Sequence, residues 1–237
     1  MTGLERLIKL LDEQYYGSVL AALLEVFAII TGCVFVRKDR IGKLFLAYLI
    51  LDFLILASYF SIISIFNISP RKLSFFVNPV NIIISFVELF VYCHFFINVI
   101  QNKSIIKLIR ILRFAFIGII GLLISLEINF FTKRYYISEM VAACEFLLLL
   151  LPCFAYFYEL LNSDPAQNIY QRPSFWIVTG IFVYSLISIP YCLIDGFVMD
   201  HGFEQRRLLD LALFYAPLGI NFILLAKAFF CKKALST

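Results

Sequence analysis

Residues 18–36 read SVLAALLEVFAIITGCVFV, a run of 19 residues whose single charged side chain, Glu25, lies near the middle. At 1.5 Å per residue, an α-helix of this length spans about 29 Å, which matches the roughly 30 Å hydrocarbon core of a bilayer. A helix on the surface of a soluble core alternates apolar and polar positions, and this run does not. The stretch therefore predicts a membrane-spanning helix that carries one intramembrane acid.

The rest of the chain repeats this pattern. Hydrophobic residues make up 62% of its 237 residues and charged residues only 15%, whereas soluble domains are about half apolar and a quarter charged. We predict an all-α, polytopic membrane bundle of seven transmembrane helices. The predicted spans are residues 18–36, 44–66, 79–100, 111–131, 138–160, 174–194 and 208–231. Pro152, Pro190 and Pro217 fall inside the last three spans and predict kinks rather than breaks.

The chain divides into three parts. Residues 1–17 form an amphipathic pattern typical of an interfacial helix, residues 18–231 hold the seven spans, and residues 232–237 are a short tail. Twelve of the 20 Lys and Arg residues fall on one side of the predicted spans, which predicts an outside N-terminus and a cytoplasmic C-terminus. The connections are too short for a separate soluble domain, so any function must lie in the bundle or in a partner.

Four acids interrupt the apolar spans: Glu25, Asp52, Glu88 and Glu145. An acid at the centre of a membrane helix costs roughly 2.5–3.5 kcal/mol on insertion scales, so four of them need partners or water. No Lys or Arg lies in the middle of any span. We therefore expect these acids to be protonated, hydrated or neutralised by a bound cation.

Further polar residues recur at helical spacing and so share a helix face. These rows are Asn81, Ser85, Glu88 and Tyr92; Gly180, Tyr184, Ser188, Tyr191 and Asp195; Tyr48, Asp52 and Tyr59; and Asp210, Pro217 and Asn221. We predict a polar, tyrosine-rich interior between helices 2, 3, 6 and 7, which Glu25 and Glu145 can join. The alternative is that these side chains only hold the bundle together, through interhelical hydrogen bonds worth about 0.6 kcal/mol each.

The candidate ligand- or ion-binding residues come from these rows and acids. They are Glu25, Asp52, Glu88, Tyr92, Glu145, Tyr184, Tyr191 and Asn221. The sequence lacks HExxH, GxSxG and Gly-rich phosphate-loop motifs, and its two histidines lie far apart. We expect no enzymatic activity, no catalytic residue, no metal and no cofactor. The net charge of +4 is accounted for by the topology-determining clusters, so we expect no nucleic-acid partner.

The most distinctive segment is residues 162–184, NSDPAQNIYQRPSFWIVTGIFVY. Its P-S-F-W-I-V-T-G-I-F-V-Y run resembles a P-x-F-W-I-x-x-G-x-x-x-Y pattern of the seven-helix modules at the N-termini of sensor histidine kinases in Bacteroidetes. The resemblance implies a sensory input module in a bacterial cytoplasmic membrane, working with a cytoplasmic signalling protein, and a homodimer is compatible with it. It carries over no binding residue. The chain has no phosphoacceptor or ATP-binding domain after residue 237, so we expect the input module without the kinase part.

Two functional hypotheses follow, beside a purely structural role as an assembly subunit. The first is a sensor or receptor-like module that binds a small ligand or cation in a polar intramembrane cavity and signals through a cytoplasmic partner. The second is a small cation- or proton-coupled transporter or channel that uses the intramembrane carboxyl groups. We find no internal repeat, and seven helices do not split into equal halves, which makes the second hypothesis weaker.

Overall fold

The computed structural model describes residues 16–36, 40–66, 70–130, 136–162, 169–198 and 209–231. The helices are α1 (Tyr16–Phe35), α2 (Arg40–Phe66), α3 (Pro70–Val99), α4 (Lys103–Phe130), α5 (Tyr136–Leu161), α6 (Pro173–Val198) and α7 (Ala216–Phe230). A 3₁₀ turn, Ile169–Gln171, precedes α6, and a π-helical segment, Leu211–Tyr215, precedes α7. The predicted interfacial helix and the predicted tail fall mostly or wholly outside the described residues.

Six helices are long and apolar enough to cross a membrane, namely all except α4, with α7 taken together with the π-helical segment before it. This confirms an all-helical, multi-pass membrane protein. The predicted fourth span, residues 111–131, is not among the six found in the described part of the chain and stays a prediction. The predicted span at residues 79–100 agrees with the apolar stretch Val80–Val99. The helices α3 and α4 themselves begin nine and eight residues before positions 79 and 111, where the predicted spans start. Both extensions carry polar or charged residues, which do not end a helix.

The six apolar helices form a closed ring, and α4 lies beside it. Around the ring, α1 packs on α2, α2 on α3, α3 on α5, α5 on α6, α6 on α7, and α7 on α1. Helix α4 packs against α3 and α5. The guanidinium of Arg113 on α4 lies 4.2 Å from the ring centroid of Phe90 on α3, a cation–π contact that joins the peripheral helix to the ring. The ring therefore encloses the interior of the protein without α4.

Several contacts bring helix ends together at what we call the inner end, which is the end predicted to be cytoplasmic. Phe35 and Phe230, at the ends of α1 and α7, have ring centroids 4.7 Å apart. The indole N–H of Trp176 donates to the carbonyl of Tyr170 at 2.9 Å, and Lys227 Nζ lies 5.8 Å from the indole centroid. The sequence predicts an interfacial aromatic anchor at Trp176 and Tyr170, and the two are joined at this end.

The prolines act differently in the three helices that carry them. Pro152 and Pro190 lie within the continuous helices α5 and α6. Pro217 stands in the first turn of α7, directly after the π-helical segment. Because proline has no N–H, it cannot donate to the carbonyl four residues earlier, which belongs to Leu213. The Ser188 hydroxyl on α6 donates to that carbonyl at 3.3 Å, so a neighbouring helix satisfies the group that the proline leaves free.

A carboxylate organises the connection between α3 and α4. Glu159 on α5 accepts hydrogen bonds from the backbone N–H groups of Gln101 at 2.9 Å and Asn102 at 2.8 Å. The Asn102 side-chain oxygen in turn accepts from the Ser104 N–H at 2.9 Å, which caps α4. The connection is thus held by α5 rather than by its own residues alone.

We expect Glu159→Ala to release this connection. Losing two hydrogen bonds to a charged acceptor at an exposed site should cost about 1–2 kcal/mol, so the Gln101 and Asn102 amides should exchange on the order of tenfold faster. Hydrogen-exchange mass spectrometry of the protein in nanodiscs measures this. Glu159→Gln keeps one acceptor oxygen and should give a smaller increase. Unchanged exchange in Glu159→Ala would contradict the assignment.

Candidate functional site

The four intramembrane acids lie on four different helices and interact with one another, Glu25 with both Asp52 and Glu88. The carboxyl groups of Glu25 on α1 and Asp52 on α2 share a hydrogen bond. Asp52 interacts electrostatically with Glu88 on α3, and Glu88 with Glu145 on α5. Two carboxyl groups can share a hydrogen bond only if one of them holds a proton. We call these four residues the carboxyl network.

The members of the network differ in burial. Glu25 is 2% exposed and Glu145 is 1% exposed, whereas Asp52 and Glu88 are partly buried. One oxygen of each buried acid, Oε1 of Glu25 and Oε1 of Glu145, has no hydrogen-bond partner among the described residues. Within the described part, no Lys or Arg contributes to the electrostatic environment of the four acids. Among the described residues, no basic side chain balances the charge of these acids, which protons or a bound cation could do.

Two tyrosines and an asparagine connect the network to α7. The hydroxyl groups of Tyr48 on α2 and Tyr92 on α3 both hydrogen-bond to the Glu88 carboxyl group. The Asn221 side-chain amide on α7 donates to the Tyr92 oxygen at 3.3 Å, which leaves the Tyr92 proton for Glu88. Tyr48, Tyr92 and Asn221 are buried, so these bonds are shielded from water. A directed chain of hydrogen bonds thus runs from α7 to the centre of the network.

A glycine allows Asn221 to occupy this position. A Cβ added at Gly180 on α6 would lie 2.5 Å from the Asn221 side-chain oxygen and 3.4 Å from its Cα. A Cβ here would clash with the amide oxygen, so Asn221 keeps this side-chain position only opposite a glycine. Gly180, Ser188 and Tyr191 of the predicted α6 row therefore all meet α7 or the segment preceding it. The side chain of Asp195, the last member of that row, lies outside the described residues.

The predicted site residues separate into two groups. Glu25, Asp52, Glu88, Tyr92, Glu145 and Asn221 are brought together by the contacts given above. Tyr184 is buried between α5 and the π-helical segment, with ring centroids 4.9 Å from Phe146 and 6.2 Å from Phe214, and it interacts electrostatically with Glu88 and Glu145. The Tyr191 hydroxyl instead donates to Asp210 at 2.9 Å, and this hydrogen bond leads away from the network.

The polar interior is lined by more helices than the four that the sequence predicts. Besides helices 2, 3, 6 and 7, α1 and α5 stand in the ring and supply the two most buried acids, Glu25 and Glu145, which the prediction allowed to join. On α3, Ser85, Glu88 and Tyr92 take part in the site, whereas Asn81 is exposed. Helical spacing placed Ser85, Glu88 and Tyr92 on one face, but it could not tell which helices meet.

An apolar layer separates the network from the inner end. It consists of Phe45 on α2, Phe95 and Phe96 on α3, and Phe229 on α7, all of them buried. The ring centroids of Phe45 and Phe95 are 5.4 Å apart, as are those of Phe95 and Phe96.

The depth of this layer follows from sequence spacing. Asp52 lies seven residues from Phe45 on α2, and Glu88 lies seven residues from Phe95 on α3. Seven residues are about 10 Å along a helix. The ring of Tyr92 fills the level between, 5.7 Å from Phe45. The bundle is thus polar at its centre and apolar between that centre and the inner end.

Sequence reasoning left three participants out of the site. Tyr48 and Ser85 stand in the predicted rows, four residues before Asp52 and three before Glu88, so helical spacing could have included them. Ser185, fully buried with an unpartnered hydroxyl, stands outside every predicted row, and no sequence signal points to it.

The fold and the site define a multi-pass helical membrane protein with a coupled carboxyl network in its core. Within the described residues, no group of three or more His, Cys, Asp or Glu side chains is arranged to hold a metal ion. Glu25, Asp52 and Glu88 all interact with one another, and Glu145 interacts with Glu88. Comparisons with protein families, curated proteins and solved structures gave no match.

Proposed function

We propose that this protein is a membrane sensor module whose carboxyl network takes up or releases a proton, or a small cation in its place, and passes the change to α7. The observation that carries the proposal is the connected series from Glu25 through Asp52 to Glu88, with Tyr92 and Asn221 extending it to α7. Intramembrane acids of this kind are retained at a cost and commonly mark proton or ion sites.

The apolar layer supports a sensor more than an open channel. Phe45, Phe95 and Phe96 are fully buried between the network and the inner end. A layer of this kind excludes water and ions, so access to the network is expected from the opposite side. Asp52 and Glu88 keep exposed surface and would be the entry points, while Glu25 and Glu145 lie behind them.

Helix α7 is suited to carry the output. Loss or gain of a charge at Glu88 would change the hydrogen bond that Tyr92 donates and, through it, the bond from Asn221. The π-helical segment and Pro217 give α7 a weaker backbone ladder at its start than a regular helix has. Its other end, at Lys227 and Cys231, reaches the predicted cytoplasmic face. A cytoplasmic signalling protein could bind there, in line with the resemblance to sensory modules of histidine kinases.

A second candidate, a proton- or cation-coupled transporter, is favoured by one observation. The π-helical segment interrupts the seventh helix near a set of intramembrane acids, and interrupted helices at acidic sites are characteristic of secondary transporters. In that case the apolar layer would be the closed gate of one conformation.

The test compares the wild-type protein in nanodiscs with Glu88→Gln and with Glu159→Gln, whose carboxyl group lies outside the network. We expect a carboxyl C=O band in pH-difference infrared spectra and a pH-dependent change in hydrogen exchange at residues 223–231. Both should be lost in Glu88→Gln and retained in Glu159→Gln.

Proteoliposomes with an internal pH dye distinguish the two candidates. A sensor should show no proton flux above that of empty vesicles. Proton flux in the wild type that is lost in Glu88→Gln would contradict the sensor and support the transporter. Absence of any pH-dependent change at residues 223–231 in the wild type would contradict the sensor.

A further inference from the structure

The antiparallel helices α5 and α6 pair in a constant register. The Tyr156 hydroxyl on α5 lies 3.0 Å from the Ser174 hydroxyl on α6. Nearer the other end of the same interface, the rings of Phe146 and Tyr184 have centroids 4.9 Å apart. From the first pair to the second, the contact moves ten residues back along α5 and ten residues forward along α6, as expected for antiparallel helices. The register therefore extends over at least ten residues of each helix.

This register places Glu145 opposite Ser185. Glu145 lies eleven residues before Tyr156, and Ser185 lies eleven residues after Ser174. Eleven residues are just over three turns of α-helix, so each side chain returns to the face that carries the Tyr156–Ser174 hydrogen bond. Glu145 and Ser185 thus repeat that pair three turns farther along the interface.

Unlike the first pair, these two side chains do not hydrogen-bond to each other. Glu145 Oε1 and Ser185 Oγ are both buried and have no hydrogen-bond partner among the described residues. Glu145 is 1% exposed and Ser185 is 0% exposed. The physical reason is side-chain length, because a tyrosine hydroxyl reaches farther from its Cα than a glutamate carboxyl oxygen. Ser85 on α3 hydrogen-bonds to the Glu145 carboxyl group, so a third oxygen lies at this level.

We propose that one buried water molecule lies between Glu145 and Ser185 and joins α6 to the carboxyl network. Buried polar atoms are almost always hydrogen-bonded, and internal waters typically bind two to four groups that are otherwise unsatisfied. Water can donate to Glu145 and either donate to or accept from Ser185, whatever the protonation of the acid. Three protein oxygens are too few for a calcium ion, which takes six to eight oxygen ligands.

The position of the water follows from the packing of α5 and α6 alone. Its function rests on the proposed function: it would let Glu145 exchange a proton toward α6 when Glu88 changes charge. This gives Glu145, which has no exposed surface of its own, a hydrogen-bonded neighbour outside the series of acids.

Infrared spectroscopy of the protein in nanodiscs tests the proposal. Exchange of bulk H₂¹⁶O for H₂¹⁸O at constant pH should shift the O–H stretching band of a buried water in the wild type. Ser185→Ala should remove or displace that isotope-sensitive band. Ser174→Ala is the matched control, because that hydroxyl bonds directly to Tyr156, and it should leave the band unchanged. Size-exclusion chromatography and far-UV circular dichroism verify that both variants are folded.

Three results would overturn the proposal. They are the absence of any isotope-sensitive band in the folded wild type, an unchanged band in Ser185→Ala, and a melting temperature that rises with Na⁺ in the wild type but not in Ser185→Ala, which would place a cation there. The pH response lost in Glu88→Gln is measured separately. The experiments can therefore contradict the proposed water without contradicting the proposed sensor, and they can also do the opposite.

Discussion

Glu88→Ala should be less stable than Glu88→Gln by about 2–4 kcal/mol. Both variants remove the carboxyl group, so the cost of burying a charge does not contribute to the difference in their free energies of unfolding. The glutamine keeps a carbonyl oxygen that can accept from Tyr48 and Tyr92, whereas alanine leaves both buried hydroxyl groups without that acceptor. An unsatisfied buried donor costs about 1–3 kcal/mol. The free energy of unfolding in mixed detergent micelles, titrated with SDS, measures the difference.

A further variant separates the hydrogen bonds from the lost side-chain volume. Adding Tyr48→Phe to Glu88→Ala removes one of the two stranded hydroxyl groups and should recover about 1 kcal/mol. The same Tyr48→Phe change in the wild type should instead destabilise, because a bond to Glu88 is lost. Equal stability of Glu88→Ala and Glu88→Gln would contradict the hydrogen bonds assigned to the two tyrosines.

Gly180→Ala should destabilise the protein by about 1–3 kcal/mol, the usual cost of adding atoms to a well-packed interior. The new methyl group would lie 2.5 Å from the Asn221 side-chain oxygen, which must move. Asn221 is itself buried and bonded to Tyr92, so moving it breaks the link between α7 and the network. The unfolding titration measures the stability, and the pH response at residues 223–231 should weaken in the same variant.

Two glycines on α4 provide the control. A Cβ at Gly118 or at Gly121 would meet nothing within 4 Å. Alanine at either position should therefore leave stability unchanged or raise it slightly, because alanine favours a helix over glycine by up to about 1 kcal/mol. If Gly180→Ala behaves like these two, the close approach of α6 and α7 is not required.

The candidate site was predictable in its residue types and only partly in its arrangement. Spacing alone placed Ser85, Glu88 and Tyr92 on one face of α3, and all three take part in the site. The same reasoning could not pair Glu25 with Asp52, since the two lie on separate helices. Helical spacing also could not predict that Glu145 and Ser185 face each other, because that depends on the register of α5 against α6.

By itself, the sequence determined the class of protein and the chemistry of its interior. A bilayer requires only enough consecutive apolar residues for a helix, so a run such as residues 18–36 with its one acid, Glu25, predicts both a span and a buried carboxyl group. Only the tertiary structure decided the neighbours: the closed ring of six helices, α4 beside it, and the apolar layer at Phe45 and Phe95. The reason is physical. Helical periodicity tells which side chains share a face, but the partner of that face is chosen by close packing among residues distant in sequence.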